Sequence, residues 1–214
     1  MQKSKTDHAV AIAKAMVSAV PWVGGPLASL ANDYIPSHTE RARDRAIALL
    51  DERLEALGER LDAKAVNRDD FAELAKTCYL TIVRSHREEK LKAATGILAN
   101  FLLREGDPDK LKYTELDYFA RCVETLSNGA IEVLGNVVDA YQVGGRKNMA
   151  LGDLFSCLPQ YSSELLMGLV AELDAVNLLH RRVPSIEMPN HANNQVRLTP
   201  LGERFAQFLI EQDG

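Results

Sequence analysis

The sequence has little cysteine, proline, glycine or aromatic content, and each shortage excludes a class of protein. Its 214 residues include 3 Cys, 8 Pro, 13 Gly and 6% aromatic residues. Proline and glycine are too sparse for a collagen-like or low-complexity chain, and 46% hydrophobic residues exclude a disordered one. Cys78, Cys122 and Cys157 form no close pair, which excludes a zinc knuckle or a redox motif. Their apolar neighbours predict buried thiols in a reducing cytoplasm.

An excess of basic charge is also lacking. The chain has 25 Lys and Arg against 30 Asp and Glu, a net charge of -5 at pH 7. Proteins that bind polyanions without sequence preference carry a basic excess, so this role has no support. The bulk numbers describe an ordinary soluble globular protein, long enough for one or two domains.

The N-terminus is similar to a secretory signal peptide but departs from it in two places. Lys3 and Lys5 precede an apolar stretch over residues 9–20. Asp7 interrupts the basic part and Lys14 the apolar part, which is rich in Ala rather than Leu. We therefore expect no signal peptide and a cytoplasmic protein.

Apolar periodicity predicts that residues 1–141 form an α-helical bundle. The pattern is clearest from Ile47 to Leu61, where a 3-4-3-4 spacing predicts a helix over about 39–64. It lasts only about two heptads, which favours an intramolecular bundle over a free-standing coiled coil. Further helices are predicted from near Asn67, from near Leu91 after a bend at 85–86, and over about 115–141 with a kink at 127–129.

After residue 141 the pattern changes. Two glycines, two basic residues and Asn make residues 142–148 a predicted linker. Residues 149–212 then read as helix, helix, strand, long turn, strand, helix, with the segment from Met149 to Pro159 predicted to be the first helix. The predicted fold is mainly α, with a small α+β module at the C-terminus.

This module resembles a winged-helix domain, over about a third of the chain. Residues 196–205, VRLTPLGERF, are similar to the wing strand and closing helix of MarR-like regulators. Leu151 and Leu154 match the first helix of the helix-turn-helix pair, and residues 178–182 match the outgoing wing strand. The resemblance implies a two-stranded wing, and it implies that residues 162–174 form the helix that enters the DNA major groove in DNA-binding members.

The charges of this helix argue against DNA. Residues 162–174 contain Glu164, Glu172 and Asp174 but no Lys or Arg, whereas a recognition helix needs donors for phosphates and guanine edges. Residues 144–214 hold 6 basic and 8 acidic side chains. We therefore expect the module to contact protein, either a partner or a second copy.

Duplex DNA is the alternative partner. Arg181, Arg182 and Arg197 are the candidate phosphate contacts, because they lie on the two predicted wing strands. In this interpretation the protein is a winged-helix transcriptional regulator.

Motifs for catalysis or metal binding are missing. The sequence has no HExxH, P-loop, GxGxxG or GxSxG, and none of its five histidines lies three residues after a Glu. His86 and Glu89 share a predicted helix face, but Arg87 and Lys90 beside them indicate a solvated charged surface. We expect a protein without enzymatic activity, cofactor or metal.

An uncharged segment near the N-terminus offers a third hypothesis. Residues 15–32 carry no charge, but the segment PWVGGP within them prevents one straight membrane span. We expect a buried helical hairpin anchored by Trp22 and turned at Gly24 and Gly25. The alternative is a membrane-acting protein that inserts residues 9–35. With the helices that follow, this segment resembles a group of uncharacterised bacterial helical proteins, some of which are thought to act in phage defence or stress responses.

Overall fold

The structure is a computed structural model that describes residues 36–62, 66–85, 87–144, 148–182 and 194–209. It is mainly helical, with a small three-stranded antiparallel sheet, which confirms the mainly α class. Residue contacts divide the chain into two compact units. We call them the N-terminal unit, ending at Glu124, and the C-terminal unit, beginning at Thr125.

The described helices of the N-terminal unit centre on one that is rich in small residues. They are α1 (Pro36–Leu57), a short 3-10 helix (Gly58–Arg60), α2 (Arg68–Arg84), α3 (Glu88–Phe101) and α4 (Tyr113–Thr125). Helix α3 packs against both α1 and α2, and its residues from Lys90 to Ala99 are buried except for Lys92, which is half-buried. Alanines such as Ala93 and Ala94 let two neighbouring helices approach it closely, so α3 forms the centre of this unit.

An ion pair holds the segment after α3 against the 3-10 helix. Arg60 Nε donates to Asp107 Oδ2 at 2.9 Å, and Arg60 Nη2 donates to Asp107 Oδ1 at 2.6 Å. The same Nη2 also reaches Asp109 Oδ2. The hydrogen bonds from Arg60 favour the charged form of Asp107 and lower its pKa to about 2, although burial of this side chain, which is only 1% exposed, acts in the opposite direction.

The C-terminal unit contains the described strands. Its elements are α5 (Asn128–Gly144), β1 (Met149–Ala150), α6 (Leu151–Cys157), α7 (Ser163–Ala175), β2 (Leu179–Arg182), β3 (Gln195–Leu198) and α8 (Pro200–Leu209). Both sheet pairings are antiparallel and the order is β1-β3-β2. The expectation of only two strands is wrong, because Met149 pairs with Val196 and buries its side chain on the core side of the sheet.

Helix α5 belongs with the C-terminal elements. It contacts α6, α7, α8 and β3, so the division at residues 124–125 differs from the linker predicted at 142–148. The helix predicted over 115–141 is two helices, interrupted at residues 126–127. Gly129 allows the close packing that follows the break, since a Cβ there would lie 2.9 Å from Leu169 Cδ1.

The cysteines differ in exposure. Cys78 and Cys122 are buried as predicted, whereas Cys157 is exposed at the end of α6, so the prediction is wrong for that residue. Burial raises the pKa of Cys78 well above its ordinary value and that of Cys122 to about 11. Both buried thiols therefore stay protonated and unreactive at neutral pH.

One junction joins β3 and α8 to the turn between α7 and β2. Thr199 Oγ1 donates to the carbonyl of Asn177 at 2.6 Å and accepts from Gly202 N at 2.9 Å, which caps the start of α8. Asn177 adopts a left-handed φ of 53°. A Cβ on Gly202 would lie 2.0 Å from the Leu178 carbonyl oxygen, so only glycine fits there.

We predict that Gly202→Ala destabilises the protein, because the clash is with backbone that cannot move aside. The expected loss is about 1–3 kcal/mol or more, measured by chemical or thermal unfolding. Gly135→Ala is the matched control, since a Cβ at Gly135 in α5 meets nothing within 4 Å. That variant should gain about 0.5–1 kcal/mol from helix propensity. Equal effects of the two substitutions would contradict the junction geometry.

The Arg60–Asp107 pair predicts a particular acid sensitivity. The folded pKa of Asp107 lies near 2, below its ordinary value of 3.8. The stabilisation is therefore complete above the ordinary pKa and is lost as the pH falls from about 5 towards 2. Asp107→Asn should lower the melting temperature at pH 7 and flatten its dependence on pH over this range. Asp109→Asn, at a carboxylate that is 67% exposed, should leave the profile close to that of the unsubstituted protein.

Candidate interaction surfaces of the C-terminal unit

The strand register separates the three arginines that the sequence groups together. Side chains opposite each other in an antiparallel pair share a face of the sheet, and Arg181 lies opposite Val196. Val196 is buried, so Arg181 is on the core face, where it is half-buried. Arg182 and Arg197 are exposed on the opposite face.

We call that opposite side the outer sheet face; on β2 and β3 it consists of His180, Arg182, Gln195 and Arg197, and Ala150 of β1 lies beside Gln195. His180 lies directly across from Arg197, and Arg182 from Gln195. Among the described residues, Arg182 and Arg197 form no ion pair. The result is a small surface on which two guanidinium groups and an imidazole lie close together. Its members His180 and Gln195 were not among the predicted contacts, although strict alternation along each strand would have indicated them.

Helix α7 begins at a side-chain cap and turns four large apolar residues to the core. Ser162 Oγ accepts from Leu165 N at 3.3 Å, which satisfies one free amide at the helix start. The residues buried beneath the helix are Leu166, Leu169, Val170 and Leu173. Their spacing leaves a continuous exposed side.

We call part of that exposed side the α7 face and define it by Glu164, Leu165, Gly168, Ala171 and Ala175; Ser163 and Asp174 of the same helix are also exposed. Leu165 is 49% exposed, and the other exposed large hydrophobic side chain in the described part of the chain is Tyr118. No Lys or Arg lies on α7. The α7 face is thus apolar and small, with one carboxylate at its N-terminal end.

The other two carboxylates of α7 have structural roles. Glu172 accepts hydrogen bonds from the backbone N and from Oγ of Ser127, the latter at 2.8 Å. Ser127 Oγ in turn accepts from Ala130 N at 3.1 Å and so caps α5. Asp174 accepts from Arg181 N at 3.3 Å and lies 3.8 Å from His180 Nδ1. Of the three carboxylates in residues 162–174, Glu172 is thus bound to the start of α5.

Charged residues on both sides of residue 86 make contacts within the N-terminal unit. Arg84 Nη1 donates to Glu124 Oε1 at 2.8 Å, Glu88 pairs with Arg45, and Lys90 is buried. His86 lies outside the described residues, as do Trp22, Gly24, Gly25 and the whole of segment 9–35. Within the described ranges, no group of three or more His, Cys, Asp or Glu side chains has the geometry of a metal site.

The sequence has no detected similarity to a known family or protein. No protein-family model, curated protein or solved structure matches the sequence. Among the described helices, none combines the length and the apolarity that crossing a membrane requires.

Proposed function

We propose that this is a non-enzymatic regulatory or interaction protein whose C-terminal unit is a winged-helix-like module that binds protein through the α7 face. The order α6, α7, β2, β3, α8 supports the winged-helix part of the proposal. So does strand β1, which leads into α6 and pairs with β3. In a winged-helix arrangement, α7 would be the helix that corresponds to the recognition helix.

The composition of the α7 face is the observation that carries the proposal. Its exposed Leu165 and small neighbours offer apolar area to a protein surface. Its one carboxylate, Glu164, would approach the phosphates of a duplex without any cation on the same helix to offset it. An apolar surface with an acidic end fits a protein partner better than a polyanion.

A photo-crosslinking residue placed at Ala171 tests the proposal in the full chain. We expect a protein adduct at Ala171 that disappears when Leu165→Glu is added, because Leu165 supplies the apolar contact. A crosslinker at Gln207, exposed on α8, is the matched control and should give no adduct that depends on Leu165. Absence of any adduct that depends on Leu165 would contradict binding through the α7 face.

Duplex DNA is the second candidate, favoured by the outer sheet face. Arg182 and Arg197 lie diagonally across β2 and β3, where diagonal neighbours are about 7–8 Å apart. Both guanidinium groups could therefore contact one phosphate backbone. This candidate assigns the contact to the sheet and not to α7.

DNA binding predicts a salt dependence that the sheet geometry makes specific. Each phosphate contact adds about 0.9 to the slope of log affinity against log salt. Arg182→Gln with Arg197→Gln should therefore lower the slope by about 2, whereas Arg181→Gln, on the core face, should leave it unchanged. Fluorescence anisotropy with a labelled duplex measures both. A flat signal at low salt, or equal effects of the two sets of variants, would remove DNA as the partner.

A further inference from the structure

We propose that the protein bound by the α7 face is a second copy of this chain, whose outer sheet face receives it in a two-fold symmetric dimer. This inference rests on the function proposed above and specifies its partner. In such a dimer the α7 face of each protomer contacts the outer sheet face of the other, so both contacts occur twice.

Charge complementarity is the first argument. The outer sheet face carries His180, Arg182 and Arg197, and its two arginines have no ion-pair partner among the described residues. The α7 face carries Glu164 and no cation, and Glu164 likewise has no ion pair within the described part of the chain. Surfaces of opposite sign attract, and surfaces of like sign exclude one another. Electrostatic attraction therefore favours contact between the α7 face and the outer sheet face over contact of either surface with a second copy of itself.

Their arrangement on one unit is the second argument. The C-terminal end of α7 meets the outer sheet face where Asp174 approaches His180. A two-fold interface needs a patch and its complement side by side, so that the axis exchanges them. With the axis near this meeting point, the N-terminal half of each α7 would extend over the partner's sheet.

The lengths of the two surfaces agree. Glu164 precedes Asp174 by ten residues, which is about 15 Å along a helix. The four-residue strands β2 and β3 extend about 13 Å. Glu164 of one protomer would therefore reach the arginines of the other, with Leu165 beside it. Because Gly168 and Ala171 have small side chains or none, the backbone of α7 can approach the backbone of the partner's sheet closely.

Charge reversal with complementation tests the dimer in the full chain. Glu164→Arg and Arg197→Glu each place like charges at both symmetric contacts of a homodimer. By analytical ultracentrifugation, we expect each variant alone to raise the dimer dissociation constant at least tenfold. An equimolar mixture should recover a heterodimer, because both of its contacts then pair opposite charges. Higher salt should weaken the unsubstituted dimer, since these charges are exposed.

Matched controls separate the interface from general effects of charge. Glu55→Arg and Lys112→Glu make the same charge changes at exposed positions of the N-terminal unit and should leave dimerisation unchanged. If a reversal variant fails to fold by circular dichroism, Glu164→Gln and Arg197→Gln replace it, with a smaller loss expected.

Three outcomes overturn the proposal: an unsubstituted protein that stays monomeric, reversals that leave dimerisation unchanged, or folded variants that fail to complement. The crosslink at Ala171 distinguishes this failure from failure of the proposed function. An adduct with a different protein would overturn the dimer alone, whereas no adduct dependent on Leu165 would contradict protein binding through α7 altogether.

Discussion

The close approach of Gly202 to the Leu178 carbonyl is the constraint on which the C-terminal unit depends. It fixes the start of α8 against the turn that joins α7 to β2, and Thr199 completes the joint by bonding Asn177. Because β3 runs directly into α8, the same joint sets the position of β3 beside β2. The turn that follows α7 is thereby bound to the residue at which β3 passes into α8, since Thr199 N also donates to the Leu178 carbonyl at 3.2 Å.

The parts of the structure that neighbouring residues determine were predictable from the sequence. The spacing from Ile47 to Leu61 predicted α1, since helical periodicity is a property of neighbouring residues. The buried side of α1 nonetheless includes Ala46 and Leu49, which the predicted spacing left out, whereas Ile47 is only half-buried. Alanine at position 46 and the small residues of α3 favour this rotation, because close helix packing selects for size as well as hydrophobicity. Such a preference depends on the partner helix and cannot be derived from one helix alone.

Features that depend on a contact between residues distant in the sequence were not predictable. A two-residue strand such as Met149–Ala150 has no periodicity, and only its pairing with β3 defines it. The role of Glu172 depends on Ser127, which is 45 residues away. The face occupied by Arg181 follows from the register with Val196, and a shift of one residue would have placed it with Arg197 instead. The residue types of the candidate site were thus predictable, but their grouping was not.

Charge distribution matters more here than net charge. The carboxylates of α7 are not equivalent: Glu172 is bound to Ser127, Asp174 lies beside His180, and Glu164 is the carboxylate on the α7 face. The exposed arginines of the strands lie together on the outer sheet face. The α7 face therefore carries a negative charge at its N-terminal end, the outer sheet face carries positive charges, and the two surfaces meet where Asp174 approaches His180. A duplex, negative along its whole length, would be attracted by one surface and repelled by the other. A protein that places basic groups against the α7 face and a carboxylate against the outer sheet face meets no such repulsion. A second copy related by a two-fold axis places its own two surfaces in that way by symmetry.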